Sequence, residues 1–264
     1  MSLYEQVSTI IERAGEILLE YYDSVFDVNI KDDGSFVTTA DTEVSSFLEK
    51  ELLKIFPDDV VSTEENWKLG VESLKRLWLS DPLDGTKAFV ERAPNFSLIL
   101  SCIEDEIPIF GCIYFPLNKT ILYAEKDKGC FFINKGTKKR IFFDDKIIKI
   151  TDSRILCKPS HKRNKQVKDF IDKGDFKSKT EIAISGHVFK EFIESGKYDL
   201  LVLSDPFKYE FGALACLIKE SGGRYLSLKG TIPSLRGNYC RINDGVVLGN
   251  KENVINFLKE YGSL

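Results

Sequence analysis

The chain contains no apolar run long enough to cross a membrane. Its longest apolar runs are far shorter than the roughly 18 residues that a transmembrane helix needs. The N-terminal residues Met1–Glu5 have neither a basic start nor an apolar core, so no signal peptide is expected. These absences predict a soluble protein of the cytoplasm with no transmembrane segment.

Cysteine and histidine are sparse and poorly placed for metal or redox chemistry. The six cysteines are scattered, and none forms a C-x-x-C pair: Cys102, Cys112, Cys130, Cys157, Cys216 and Cys240. We therefore expect buried free thiols in a reducing compartment, without a zinc site. The two histidines, His161 and His187, lie outside the acidic motifs described below, which argues against a phosphohistidine mechanism.

An excess of positive charge is also missing. The formal net charge is −4, whereas proteins that bind nucleic-acid polymers usually present a basic surface, so no such partner is expected. A small anionic metabolite remains compatible with this charge, because bound metal ions can make a site locally positive. The 264 residues are enough for one large globular domain or two closely packed halves.

The first half of the chain contains helices followed by strands. Apolar residues recur at helical spacing over residues 4–24, and again from near Asp41 to Ile55. Between residues 96 and 133, four apolar runs are separated by short polar breaks that resemble hairpin loops. This pattern predicts an antiparallel sheet.

The charged stretch Lys135–Lys146 is the best candidate for a boundary between halves. Beyond it, strands alternate with helices, and the last of the clear helical patterns spans Glu210–Glu220. We expect an N-terminal half over residues 1–140, with most metal ligands, and a C-terminal half over 141–264, with the substrate loops and Glu210. The two halves are expected to pack as one unit.

The most informative motif is W-L-S-D-P-L-D-G-T-K-A-F at Trp78–Phe89. Asp81 and Asp84 follow an apolar run, and the residues after Thr86 can open a helix. Two carboxylates at a strand end can hold hard divalent cations, and backbone amides at a helix start can hold a phosphate. The motif therefore outlines a phosphoryl-transfer site. The alternative is a tight Asp-Gly turn with a purely local role.

Three further segments accompany this motif. They are K-D-D-G-S-F-V-T-T-A-D at Lys31–Asp41, the acid pair Glu64-Glu65 after a short strand, and Tyr209-Glu210 at the start of a helix. In this order and spacing, the four segments resemble the inositol monophosphatase superfamily of magnesium-dependent, lithium-sensitive phosphatases. The resemblance runs over nearly the whole chain.

The resemblance implies a fold and an activity. The fold would be of the α/β (α+β) class, a layered αβαβα sandwich of the inositol monophosphatase and fructose-1,6-bisphosphatase type. The activity would be hydrolysis of a small phosphorylated metabolite with Mg²⁺, using two or three ions, with Li⁺ as an inhibitor. Members of the superfamily are often homodimers, so a homodimer is also an expectation.

The resemblance also assigns roles to residues. The residues that match metal ligands are Glu64, Asp81, Leu83 through its carbonyl, Asp84 and Glu210. Asp41 and Thr86, together with Glu64, match the catalytic residues, and the first two would orient the attacking water. The backbone amides of Gly85 and Thr86 match groups that hold the phosphate. Oxygen ligands without histidine or thiolate suit magnesium, and converging carboxylates need cations to offset their repulsion.

The chain departs from the usual pattern at Tyr209-Glu210, where the family usually has Trp-Asp. Glutamate is one methylene longer, which shifts the ligand by roughly 1 Å. The related fructose-1,6-bisphosphatases have a Tyr-Glu pair at this point. Asp205, five residues upstream, is an alternative ligand.

The Lys31 loop has the composition of a mobile lid, because it is polar and contains glycine. In the family this region closes over the site and helps to bind a further ion. Lys31 is therefore a candidate substrate-binding residue. A solvated surface turn is the alternative.

Within the superfamily, the chain most resembles the bacterial 3'(2'),5'-bisphosphate nucleotidases. The form of the central motif, including Lys87, and the segment Pro159–Arg163 carry this resemblance. Such enzymes convert 3'-phosphoadenosine 5'-phosphate to AMP in sulfur metabolism. The candidate substrate residues are Ser160, His161, Lys162 and Arg163, where the last two could meet a second phosphate, and Ser185, Gly186 and His187, which could lie near the nucleoside. A solvated basic loop and a core turn are the alternatives for these two segments.

Other functions stay open. An inositol-1-phosphate phosphatase and a fructose-1,6-bisphosphatase would share the metal chemistry, and Tyr209-Glu210 favours the second. A non-catalytic metal- or phosphate-binding protein on the same fold would be marked by loss of the carboxylates. Glu64, Asp81, Asp84 and Glu210 are all present.

Overall fold

The computed structural model describes residues 1–32, 34–68, 76–144, 146–158, 167, 171–172 and 174–261. The α-helices whose bounds the described residues give are α1 (Leu3–Tyr22), α2 (Thr39–Ile55), α3 (Thr86–Val90), α4 (Ser185–Ser195), α5 (Lys208–Glu220) and α6 (Lys251–Tyr261). The helices expected from residue 4 and from near Asp41 are confirmed. The helix expected around residues 165–171 lies mostly outside the described residues.

The first sheet has seven strands in the order β3-β4-β5-β6-β7-β8-β9. Its strands are β3 (Val60–Thr63), β4 (Arg76–Asp84), β5 (Ser97–Glu104), β6 (Ile107–Phe115), β7 (Thr120–Glu125), β8 (Gly129–Asn134) and β9 (Thr137–Ile141). Strand β3 runs parallel to β4, and all the other neighbours are antiparallel. The antiparallel sheet predicted for residues 96–133 is therefore confirmed.

A small hairpin and a second sheet complete the strands. The hairpin pairs β1 (Val28–Ile30) with β2 (Phe36–Thr38). The second sheet has the order β11-β10-β12-β14-β13, with strands β10 (Arg154–Lys158), β11 (Ser178–Glu181), β12 (Leu200–Leu203), β13 (Arg224–Ser227) and β14 (Val246–Gly249). The first sheet ends at Ile141, inside the charged stretch expected to be the boundary, and the second begins at Arg154 beyond it; the division into two halves stays a prediction.

Alternation along the strands explains the layers, because successive side chains point to opposite faces of a sheet. In β4, Trp78 packs with helices α1 and α2, whereas Leu77 and Leu79 pack with α4 and α5. In β12, Leu201 and Leu203 share that same central core, and Leu200 and Val202 pack with α6 on the outer side. Each sheet is therefore covered on both faces, and the predicted αβαβα sandwich is confirmed.

The cysteines are unpaired, as their scatter along the sequence predicts. All six cysteines are free, and five of them are buried, with Cys240 partly exposed. Among the described residues, no helix is both long and apolar enough to cross a membrane.

Candidate active site

Asp81 and Asp84 lie at the end of β4, where the strand is irregular. In a regular strand, residues three apart point to opposite faces. The register between β4 and β5 shifts between Asp81 and Asp84, and a shift of this kind re-aims side chains. The backbone amide of Leu83 donates to Asp81 Oδ1 over 3.1 Å, which closes the turn. The irregularity allows both carboxylates to face the same point.

Glu210 joins these two acids from the first turn of α5. One carboxylate oxygen each from Asp81, Asp84 and Glu210 lies within 4.8 Å of the other two, and all three side chains are buried. Three hard oxygen donors, with no nitrogen or sulfur, are the ligands that Mg²⁺ prefers. The residues present therefore fit a magnesium ion.

Asp84 is held by an extensive set of donors. The amides of Ser185 and Gly186, which begin α4, donate to its two oxygens over 3.1 and 2.6 Å. Ser97 Oγ in β5 donates over 2.9 Å. The amides of the first turn of a helix lack intrahelical partners, so the carboxylate satisfies them and fixes its own orientation. The structure thus places Ser185 and Gly186, expected near a nucleoside, directly on Asp84.

Glu64 follows β3 and is paired with Lys31 of the hairpin turn. Lys31 Nζ lies 2.9 Å from Glu64 Oε1 and 2.7 Å from Glu65 Oε1. Burial alone would lower the pKa of the Lys31 ammonium, but Glu64 and Glu65 outweigh burial and raise that pKa above its ordinary value. These two ion pairs hold the β1–β2 turn next to Glu64 and Glu65. The role of Lys31 in substrate binding stays a prediction.

Asp41 and Thr86 are brought into contact across two helix starts. Thr86 Oγ1 lies 3.2 Å from Asp41 Oδ1 and 3.0 Å from the Leu83 carbonyl oxygen, and its single proton can go to either. Thr38 donates to Asp41 Oδ2 through its amide over 2.8 Å and its hydroxyl over 2.6 Å, as part of a capping box on α2. Burial raises the pKa of Asp41 to about 6.

Gly85 occupies the tight turn between β4 and α3. Its φ of 91° lies in the left-handed region, and a Cβ there would come within 2.6 Å of the Asn95 carbonyl oxygen. Both the backbone angle and the close approach require glycine. The phosphate-holding role of the Gly85 and Thr86 amides stays a prediction.

Burial and mutual repulsion raise the pKa values of the clustered acids. Burial raises the pKa of Glu64 to about 7, although Lys31 acts in the opposite direction. Burial and the charge of Glu210 raise the pKa of Asp84 to about 6. Asp81 is shifted in the same direction, by burial and then by its acidic neighbours. A cluster with these properties is stabilised by added positive charge.

Lys158 supplies part of that charge and was missed by the sequence reasoning. It is the last residue of β10, and its Nζ lies 2.9 Å from each oxygen of Glu210 and also contacts Ser185 Oγ. Burial would lower the pKa of Lys158, but Glu210 and Asp84 outweigh burial and raise it. A lysine at the end of the apolar run Ile155–Cys157 was the available signal, because such a position is rarely charged without a partner.

His187 does not join the described cluster of acids. His187 packs edge-on against Phe115 at 5.2 Å, and its buried Nδ1 has no hydrogen-bond partner among the described residues. Burial lowers the pKa of His187. Ser160, His161, Lys162 and Arg163 lie outside the described residues, so their assignment stays a prediction.

Asp205, the alternative ligand, has a different partner. Its carboxylate Oδ2 lies 3.1 Å from Arg241 Nη1, which also donates to the Asp205 carbonyl over 3.0 Å. Asp205 is not among the described acids whose oxygens converge. The geometry therefore favours Glu210 as the third acid.

Comparison with known proteins identifies the family of this chain. The model of the inositol monophosphatase family matches residues 2–261. The chain therefore belongs to that family, whose members are magnesium-dependent phosphomonoester hydrolases.

The sequence identity to individual relatives is low. The 3'(2'),5'-bisphosphate nucleotidase CysQ of Aggregatibacter actinomycetemcomitans is 26% identical over 94% of this chain and 92% of its own length. The CysQ protein of Haemophilus influenzae is 35% identical, but the match spans only 54% of this chain and 56% of that protein. The solved structure of extragenic suppressor protein suhB from Bartonella henselae has a TM-score of 0.82 at 19% identity, covering 99% of this chain and 98% of its own.

Proposed function

We propose that this protein is a 3'(2'),5'-bisphosphate nucleotidase that converts 3'-phosphoadenosine 5'-phosphate to AMP and phosphate. The main support for a metal-dependent phosphatase reaction is that carboxylate oxygens of Asp81, Asp84 and Glu210 converge on one point. The similarity to the Aggregatibacter nucleotidase over nearly the full length of both chains supports the substrate.

The proposed metal ligands are the carboxylates of Glu64, Asp81, Asp84 and Glu210 and the carbonyl of Leu83. These ligands would hold two or three ions, with lithium as an inhibitor. When bound, magnesium lowers the pKa of its water and stabilises the leaving oxygen.

Asp41 and Thr86 are proposed to orient the attacking water. The two hydrogen bonds from Thr38 fix the Asp41 carboxylate, and that carboxylate can accept a hydrogen bond from the Thr86 hydroxyl. The lone pairs of Thr86 Oγ1 then remain free to accept a hydrogen bond from water. The threonine would thus aim the water while its own orientation is set by the buried acid.

Substrate contacts are proposed for two regions. The amides of Gly85 and Thr86 would hold the phosphate that is removed. In the segment Ser160–Arg163, Lys162 and Arg163 would meet the second phosphate, and Ser160 and His161 would also contact the substrate. Lys31 and His187 are further candidate substrate contacts.

The test is phosphate release with magnesium from 3'-phosphoadenosine 5'-phosphate, inositol 1-phosphate and fructose 1,6-bisphosphate. We expect kcat/KM for the nucleotide to exceed the others by at least about tenfold. Activity should be lost in Asp81→Asn and kept in the control Asp205→Asn, a buried acid outside the cluster. A preference for either other substrate would refute the nucleotidase assignment.

Fructose-1,6-bisphosphatase is the second candidate, because of one feature of this chain. Tyr209-Glu210 is the pair found in that related group, and Glu210 is one of the three converging acids. Turnover of fructose 1,6-bisphosphate above that of the nucleotide would favour this candidate.

A further inference from the structure

Lys158 forms an ion pair with one of the proposed metal ligands. Its Nζ is 2.9 Å from both Glu210 Oε1 and Glu210 Oε2, so the ammonium sits symmetrically on the carboxylate. The side chains of Lys158 and Glu210 are 19% and 7% exposed. A pair so shielded from water is little screened, so the contact is strong.

The position of this ammonium conflicts with a metal ion on the same carboxylate. One Glu210 oxygen already lies within 4.8 Å of oxygens of Asp81 and Asp84, and Lys158 Nζ contacts both Glu210 oxygens, so an ion bound there would share a carboxylate oxygen with the ammonium. A divalent cation and an ammonium on one buried carboxylate repel each other.

The two lysines at the cluster differ in what they contact. Lys31 divides its charge between Glu64 and Glu65, which leaves Glu64 Oε2 without a bond to it. Among the described carboxylates, Lys158 hydrogen-bonds to Glu210, and its charge also acts on the neighbouring Asp84. The competition is therefore specific to the end of the cluster that Glu210 forms.

We propose that Lys158 is a built-in competitor for the divalent cation held by Glu210, so that this ion binds weakly and only as the ammonium leaves the carboxylate. This inference rests on the proposed metal ligands. It makes Lys158 a residue that sets metal affinity at one position of the site, while the ions held mainly by Asp81 are less affected.

The test is a titration of the purified protein with Mn²⁺, in which electron paramagnetic resonance measures free Mn²⁺ without any substrate. Lys158→Met removes the charge and keeps an unbranched side chain of nearly the same length. We expect the Kd of the weakest Mn²⁺ site in this variant to fall by on the order of ten- to a hundredfold. The matched control Lys197→Met removes the same charge from a side chain that is 68% exposed and paired with Glu191, and should bind Mn²⁺ as the wild type does.

Unchanged or weaker Mn²⁺ binding by folded Lys158→Met would overturn the inference, and so would equal tightening in Lys197→Met. A second measurement uses the wild-type protein alone, in case the variant does not fold. Acetic anhydride should acetylate Lys158 faster when Mn²⁺ is saturating, because the ammonium has left Glu210. An unchanged or slower rate, read by mass spectrometry, would equally overturn it.

These results are separable from those of the proposed function. If Lys158→Met tightens Mn²⁺ but the wild type releases no phosphate from the three substrates, only the proposed function fails. If the wild type hydrolyses the nucleotide and Lys158→Met does not tighten Mn²⁺, only the inference about Lys158 fails.

Discussion

Gly186→Ala should disable the site by moving Asp84 while leaving the fold intact. An added Cβ at Gly186 would lie 2.9 Å from Asp84 Oδ2 and 3.0 Å from Ser97 Cβ, with Ser97 Oγ nearer still. The carboxylate oxygen is thus roughly 0.5 Å too close for ordinary contact. Ser97 and Asp84 are both buried, so neither can move into solvent.

The expected losses follow from these contacts. Asp84 must shift and give up part of its bonding to Ser97 Oγ and the Gly186 amide. A displacement of about 1 Å at reacting groups costs about 100-fold in rate, so a shift of roughly 0.5 Å should lower kcat by about tenfold. Overpacking should also lower the free energy of unfolding by about 1–3 kcal/mol.

The assay combines magnesium-dependent phosphate release with urea unfolding. Gly15→Ala in α1 is the matched control, because its Cβ would meet Cδ1 of Tyr114 in β6 at 2.8 Å, with Tyr114 Cε1 nearer still, far along the chain from the acids. It should lose stability while kcat stays near the wild-type value. A folded Gly186→Ala with normal kcat, or an equal loss of kcat in Gly15→Ala, would refute the idea that Gly186 makes room for Asp84.

Three further outcomes test the assignment of roles. Glu210→Ala should abolish turnover while Asp205→Ala, whose partner is Arg241, should retain it; the reverse result in the phosphate-release assay would exchange their roles. Because burial raises the pKa of Asp41 to about 6 and the carboxylate form is needed, kcat/KM should fall as the pH drops through 6, and a pH profile flat down to pH 5 would contradict this. Thr86→Val should lower kcat by roughly 100-fold with unchanged unfolding, whereas Thr86→Ser, which keeps the hydroxyl, should retain most activity.

The order of motifs along the chain, through its resemblance to a known family, was enough to predict the fold class and to nominate the acids that converge. The apolar run before Asp81 predicted a strand, and the acid at Glu210 was placed correctly at a helix start. These features are local, so periodicity and turn residues reveal them. The irregular register between Asp81 and Asp84 is not local, because it depends on the pairing of β4 with β5.

The hydrogen bonds to Asp84 could not be predicted either, because they also depend on segments that are distant in the sequence. Ser97 lies in the neighbouring strand, and the amides of Ser185 and Gly186 come from a helix about a hundred residues later. A backbone amide carries no sequence signal, since every residue except proline has one. Ser185 and Gly186 were nominated for the substrate on their resemblance alone, and only the packing of α4 against β5 reveals their contact with Asp84.

Glu210 and Lys158 are best understood together. Glu210 is one methylene longer than the aspartate usual at this position, and its carboxylate contacts both the acid cluster and the end of β10, where Lys158 lies. The longer side chain thus comes with a lysine that meets both of its oxygens. If Lys158 tunes the ion at Glu210, the departure from the family pattern at Tyr209-Glu210 changes metal affinity and leaves the ligand set complete. The Mn²⁺ titration measures that affinity directly, and it would distinguish a tuned site from one that glutamate has merely weakened, because only a tuned site recovers when the lysine charge is removed.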